Sequence, residues 1–185
     1  MKTTIINGSP NIKGTCSIII NDIVSKINNS NNQINLYNLN SMAIRGCQEC
    51  YVCRKSKTDK CYFNDDLSNV LEEVKTTEML IIASPVFYAD ISAQLKCFID
   101  RTWSYFGING QSASHLTKNR KMVFILSYGY SDKSHYNDLI KKYEIYFQMF
   151  GFTQIEYIIA YGAQYYNNNP INRTEIDQNI LRLFK

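Results

Sequence analysis

Four cysteines stand in one compact run, Cys47-x2-Cys50-x2-Cys53-x7-Cys61. Four thiolates are the usual ligand set of an iron–sulfur cluster or of a structural zinc. A tight run of three with a fourth close behind suits a cubane cluster, whereas zinc more often takes two C-x-x-C knuckles separated by a longer insert. A packing or disulfide role is the plainer alternative, although three cysteines spaced two residues apart are a poor arrangement for burial. Cycling of Cys47 and Cys50 as a dithiol is another. Redox chemistry is the first expectation.

Three further stretches carry residues suited to a ligand. Asn7-Gly8-Ser9-Pro10-Asn11-Ile12-Lys13-Gly14-Thr15-Cys16-Ser17 reads as a strand end, a glycine-bearing polar turn and a helix start. Backbone N–H groups there, with the Ser9, Thr15 and Ser17 hydroxyls, suit a phosphate at the positive end of the helix dipole. The loop is neither G-x-G-x-x-G nor a Walker-type run ending in Gly-Lys-Ser/Thr, and an ordinary Ser/Thr-capped turn is the alternative. Ser84-Pro85-Val86-Phe87-Tyr88-Ala89-Asp90 offers apolar and aromatic surface to a planar ring, with Pro85 fixing the backbone; a buried aromatic turn is the alternative. Ser127-Tyr128-Gly129-Tyr130-Ser131 has the same character, Gly129 permitting close backbone approach.

The elements that must position these loops alternate in type. Strands are predicted over 3–7, 33–38, 78–84, 121–127 and 154–160, and helices over 15–27, 67–76, 92–105, 133–150 and 171–184. Asp65-Asp66 reads as a helix start, and 28–32 and 165–169 read as polar turns, the latter stopped by Pro170. Five strands alternating with helices imply a doubly wound parallel sheet in one domain. Ligands in such sheets sit beyond the carboxyl ends of the strands, where the strand order reverses. That rule gathers loops 8–17, 84–90 and 127–132 on one rim, with the cysteine loop at about 45–64 beside them.

Composition narrows the classes. Of 185 residues, 45% are hydrophobic and 19% charged, an ordinary globular balance. The net charge of +4 is spread along the chain, which argues against a nucleic-acid surface. No apolar stretch is long enough for a membrane span, and the N-terminus enters a strand-like run without a signal-peptide pattern. Six cysteines in that context point to a reducing, cytoplasmic setting. His115 and His135 read as solvated surface residues, Cys97 as a core filler and 143–150 as core. Trp103, Tyr105 and Phe106 read as core or, by slight preference, as an oligomer contact that also covers the ligand.

The motifs also resemble a known family. Gly-Ser-Pro-x-x-x-Gly after the first strand resembles the phosphate loop of the flavodoxin-like NAD(P)H-dependent FMN reductases. Ser84-Pro85-Val86-Phe87, Ile91-Ser92-Ala93-Gln94-Leu95-Lys96 and Phe98-Ile99-Asp100-Arg101 look like that superfamily's ring-binding loop and following helix. The cysteine run with Asp65-Asp66 behind it is similar to the motif of its iron–sulfur flavoprotein branch. The likeness covers roughly residues 1 to 105.

It implies a flavodoxin-like sheet in the order 2-1-3-4-5. FMN phosphate would lie at Ser9, Asn11, Lys13, Gly14, Thr15, Cys16 and Ser17. Its ring would rest on Pro85, Val86, Phe87 and Tyr88, closed over by Ser127, Tyr128, Gly129 and Tyr130. A [4Fe–4S] cluster would sit on Cys47, Cys50, Cys53 and Cys61. Asn11-Ile12 stand where relatives often carry Arg-Lys, and Cys16 where they often carry Thr, so phosphate binding leans on backbone N–H groups. The expected function is FMN-dependent electron transfer from NAD(P)H or a ferredoxin-type carrier to a small acceptor, in a homodimer or homotetramer. A relay between protein partners and a zinc-stabilised non-redox module are the alternatives.

Overall fold

The β-branched and apolar runs of this chain form the strands, and the computed structural model describes residues 1–27, 32–56, 59–106, 120–163 and 168–184. The strands are β1 (Lys2–Asn7), β2 (Gln33–Asn38), β3 (Met79–Phe87), β4 (Asp90–Ile91), β5 (Arg120–Ser127) and β6 (Phe152–Ala160). The helices are α1 (Thr15–Ile27), α2 (Val52–Lys55), α3 (Asp66–Val74), α4 (Ala93–Arg101), α5 (Asn137–Met149) and α6 (Arg173–Arg182). The long strands lie parallel in the order β2-β1-β3-β5-β6, the expected 2-1-3-4-5 order of five, and β4 is an addition that pairs antiparallel with β3. The reversal of order falls between β1 and β3, which pair in register from Thr3↔Met79 to Asn7↔Ala83.

The central parallel strands β1, β3 and β5 are buried on both faces, whereas β2 and the first half of β6 at the edges are partly exposed. On one face Ile5, Ile81, Val123, Ile125 and Ile158 pack under Ile19, Ile20 and Ile23 of α1 and Ile176 and Ile180 of α6. On the other, Ile6, Leu80, Ile82, Phe124 and Leu126 pack under α3, α4 and α5 through residues such as Leu71, Phe98 and Phe147. Each such side chain contributes about 1.5–3 kcal/mol relative to exposure.

Several boundaries differ from expectation for local reasons. β3 runs past residue 84 because Pro85 still pairs with Ser127, and Val86 and Phe87 pair with Ile91 and Asp90. The expected ring loop is therefore a β-hairpin. The helix expected over 92–105 ends at Arg101 and tightens into a 3-10 turn over Thr102–Tyr105. The helix expected from 133 begins at Asn137, because Asp132 Oδ1 accepts from Ser134 N and Oγ (both 2.8 Å) and holds a turn there. The turn expected at 28–32 and the loop at 165–169 lie largely outside the described residues, and His115 wholly so.

Candidate functional site

Asn7, at the end of β1, organises the first loop. Its buried amide donates to Ser17 Oγ and to Asn38 Oδ1 (both 3.0 Å), and its Oδ1 accepts from Ser9 N at 3.0 Å. Gly8 follows where no side chain fits: a Cβ there would meet Leu95 Cβ at 2.6 Å and Ser92 Oγ at 3.1 Å. Gly8 N donates to Ala83 O at 2.8 Å, and Ser92, which caps α4, donates its hydroxyl to Gly8 O at 2.6 Å. The loop is thereby fixed to β3 and to the start of α4.

The hydroxyls expected to meet a phosphate hold the loop itself. Ser9 Oγ and Ser17 Oγ each donate to Asn11 O at 3.2 Å, and Asn11 Oδ1 accepts from Lys13 N at 2.9 Å. Thr15 Oγ1 donates to Asn168 O at 3.0 Å, and Asn168 Nδ2 donates to Lys13 O at 3.2 Å, so a distant segment braces the same turn. Cys16 is buried with its Sγ 3.3 Å from Ser127 Oγ; burial pushes its thiol up to about 12, so it stays a neutral core group. What remains unengaged in the loop is backbone. The N–H groups of Thr15, Cys16 and Ser17 open α1 and have no backbone carbonyl partner among the described residues. Asn11 and Lys13 are exposed beside them.

The stretch expected to carry a planar ring sits on the neighbouring strand ends. Pro85 and Val86 are half-buried, while Phe87 and Tyr88 are exposed at the hairpin tip. Tyr88 (φ 48°) and Ala89 (φ 61°) both occupy the left-handed region, which stores strain. Asp90 restrains the hairpin: its carboxylate accepts from Ile91 N at 2.7 Å, from Tyr143 OH at 2.7 Å and from Lys142 Nζ at 2.8 Å on α5. Burial pushes the Asp90 carboxyl up, but the Lys142 and Tyr143 hydrogen bonds outweigh that and hold it below the usual carboxylate range.

In the third stretch Ser127 and Tyr128 are buried, and Tyr128 OH donates to Lys133 O at 2.7 Å. Gly129 and Tyr130 face solvent, a Cβ on Gly129 would meet only Ala163 O at 3.7 Å, and Tyr130 stacks on exposed His135 at 3.9 Å. The three stretches therefore meet at one rim. Ser127 pairs with Pro85 and touches Cys16, and Gly8 bonds Ala83.

The cysteine loop closes on a clasp that sequence reasoning missed. Asp65 caps α3 and accepts from Arg45 N at 3.0 Å, Asp66 accepts from Ala43 N at 2.7 Å, and Arg101 donates to Asp65 Oδ2 at 2.9 Å, Phe63 O at 3.0 Å and Arg45 O at 3.1 Å. Both ends of the loop are thus tied to α4. A readable signal existed, since Arg101 follows Leu95 and Phe98 at three-residue spacing on the buried stripe of that helix. Above the clasp all four cysteines line one cavity of about 590 Å³, walled by residues such as Trp103, Tyr143, Met149 and Phe150. Cys47 and Cys50 are exposed, Cys53 and Cys61 half-buried, and all are free thiols. Burial first, then the charges of Cys61, Cys50 and Cys47, push the Cys53 thiol up. Among the described residues no three Cys, His, Asp or Glu are gathered as closely as metal ligands.

The remaining residues singled out by sequence divide. Cys97 is half-buried and its Sγ faces Gly46, so it is not a core filler. Tyr105 and Phe106 are core, whereas Trp103 is 48% exposed beneath the Arg54 guanidinium, 4.5 Å from its ring centre. In α5, Tyr143 and Phe147 are buried, as is Phe150 just beyond it, while Tyr146 is exposed.

A family model described as a flavodoxin-like fold matches residues 1–183. The chain belongs to that family. An iron–sulfur flavoprotein of Archaeoglobus fulgidus is 31% identical over 105 residues, 57% of this chain and 47% of that protein. An FMN-dependent NADH:quinone oxidoreductase of Pectobacterium atrosepticum is 27% identical over 106 residues, 55% of this chain and 51% of that protein. The chain spans about half the length of the curated relatives it matches. Among solved structures, an NAD(P)H:quinone oxidoreductase from Methanothermobacter marburgensis superposes with a TM-score of 0.71 at 18% identity, covering 98% of this chain and 92% of that one. An FMN-dependent NADH-azoreductase from Bacillus anthracis, in complex with FMN, gives 0.67 at 17% identity, covering 98% and 94%. At such identities the superpositions show the shared fold.

Proposed function

We propose that this chain is an FMN-dependent oxidoreductase that takes electrons from NAD(P)H or a reduced carrier and passes them to a small acceptor. The observation that carries the reading is the joining of the three strand-end loops, by direct hydrogen bonds and strand pairing, at the reversal of strand order. Relatives named as FMN-dependent oxidoreductases and iron–sulfur flavoproteins support it.

The residues present fit FMN. N–H groups at the start of α1 that have no backbone partner suit a phosphate, with Lys13 exposed nearby, and Gly8 lets the loop lie against α4. Pro85, Val86, Phe87 and Tyr88 would support the flavin ring and Ser127 to Tyr130 would flank it. Bound FMN supplies hydride and single-electron chemistry, so no side-chain nucleophile or base is required of the protein. The chain's part is to fix the phosphate end by backbone, hold the hairpin through Asp90, and keep Cys16 neutral and inert under the loop.

We propose Cys47, Cys50, Cys53 and Cys61 as ligands of an iron–sulfur cluster: their thiols suit it in type and number and line one cavity, and binding would have to draw them closer together than they stand. The exposed Trp103 supports a homodimer or homotetramer, with a ferredoxin-type protein as a further electron partner. No helix among the described residues is long and apolar enough to cross a membrane. The cysteine-rich sequence supports a reducing, cytoplasmic setting as part of the proposal.

Adding NADH or NADPH anaerobically to FMN-loaded protein tests the activity. Bleaching of the flavin bands within the mixing time of a manual assay is expected; no bleaching with either nucleotide contradicts the enzyme reading. Iron and sulfide are expected in anaerobically purified protein, and Cys50→Ser should lose them while keeping FMN. Zinc without iron would overturn the cluster assignment alone.

A further inference from the structure

Two buried polar atoms on residues that line the cysteine cavity are left over. Arg101 and Ser104 are 1% and 2% exposed, and Arg101 Nε and Ser104 Oγ have no hydrogen-bond partner among the described residues. Arg101 ends α4 and Ser104 stands three residues on in the 3-10 turn, a spacing that puts the two side chains on one side of the chain. The other Arg101 nitrogens are engaged by Asp65, Phe63 and Arg45, and the cysteine thiols that share the cavity are weak acceptors. Buried donors left unused cost their lost hydration and are rare in native proteins.

The cavity has the dimensions and walls of a small-molecule site. Its volume of about 590 Å³ falls in the range of ligand pockets. Trp103, Tyr146 and Met149 line it and are each close to half exposed, so aromatic and thioether surface stands open to a ring. Three cations, Lys96, Arg101 and Lys142, line it against two acids, Glu49 and Asp100, which favours an anion. We propose that this cavity binds an aromatic carboxylate, its ring against Trp103, Tyr146 and Met149 and its oxygens accepting from Arg101 Nε–H and Ser104 Oγ–H. A guanidinium–carboxylate hydrogen bond is charge-assisted and among the strong ones. Both donor atoms are closed to solvent, so the ligand reaches them as the exposed roof over 47–51 gives way. The anchors and ring contacts come from α4, the 3-10 turn and α5. The site is therefore separate from the strand-end rim and does not depend on what the cysteines hold.

Calorimetric titration of the full chain with naphthoate and with uncharged naphthamide, each with and without saturating FMN, tests the site. One naphthoate per chain is expected, unaffected by FMN, with naphthamide about tenfold weaker for want of the charge-assisted bond. Ser104→Ala should bind naphthoate about fivefold more weakly through the lost hydroxyl donor. Its urea midpoint without ligand should be unchanged or higher, because the deleted hydroxyl has no partner to lose. A merely structural serine would give the reverse, a lower midpoint with unchanged affinity. No binding of naphthoate, equal affinity for naphthamide, or full affinity in Ser104→Ala overturns the proposal. Binding that FMN abolishes places the ring at the strand-end rim and overturns it as well, leaving the FMN reading intact. One naphthoate per two chains would place the ligand between copies and overturn the single-chain site.

Discussion

At Gly8 the chain has no room for a single methyl group. The Cβ of an alanine would stand 2.6 Å from Leu95 Cβ and 3.1 Å from Ala83 O, so the loop or the start of α4 must shift. Gly8→Ala should cost about 1–3 kcal/mol of stability, the usual price of overpacking, and weaken FMN binding at least tenfold. Urea unfolding and FMN titration check the two parts, and unchanged values in both would remove Gly8 from the account. That glycine was legible in the sequence as part of the loop. Asn7 was not, because a buried asparagine that organises a turn carries no local pattern until Ser9, Ser17 and Asn38 are seen around it. Cys16 was read as a phosphate contact; its placement against Ser127 depends on where α1 crosses the sheet, which no local window encodes.

Between elements, the hairpin of β3 and β4 stores strain that α5 restrains. Left-handed backbone costs a residue with a side chain about 1–2 kcal/mol, and both Tyr88 and Ala89 adopt it. Ala89→Gly should therefore stabilise the protein by about 1 kcal/mol, less the added freedom of the unfolded chain. A lower urea midpoint in that variant would show that the turn is not strained as described. The hairpin was hidden in the sequence because Pro85 and the exposed aromatics read as a loop, whereas pairing of Val86 with Ile91 is a non-local fact. The long apolar strands were plain from their runs. Helix ends were less so: the start at Ser92 was readable, but the turn at Asp132 that delays α5 is set by side-chain bonds, and α4 tightens into a 3-10 turn after Arg101 without a break in its apolar spacing.

Over the whole molecule, acid stability should report the clasps that join distant segments. Burial pushes the Asp65 carboxyl up, but hydrogen bonds from Arg101 and from the Arg45 and Leu67 amides outweigh it and hold it below its ordinary value. Glu73 is likewise held low, burial being outweighed by Tyr37, Asn35 and Thr4. A carboxyl with a lowered folded value contributes stability that is full above its unfolded value and lost as pH falls through the folded one. The melting temperature should be flat near neutrality and drop below about pH 4, and Asp65→Asn should lower the plateau and flatten the drop. An acid limb as steep in Asp65→Asn as in the wild type would mean that the clasp contributes nothing. The flavodoxin-like order of the sheet was legible from the alternation of strands and helices, and so was the rim where the loops meet. The stripe of α4 marked Arg101 as buried, but its partners Arg45, Phe63 and Asp65 come from both ends of the cysteine loop, a meeting that no local window encodes. The reading as a whole stands on the loop at the start of α1 gripping a phosphate through its backbone. Calorimetric titration of the purified chain with FMN and, separately, with riboflavin tests that grip. Stoichiometric FMN binding at least tenfold tighter than riboflavin is the expected result; equal affinity for the two, or no binding of FMN, would contradict it.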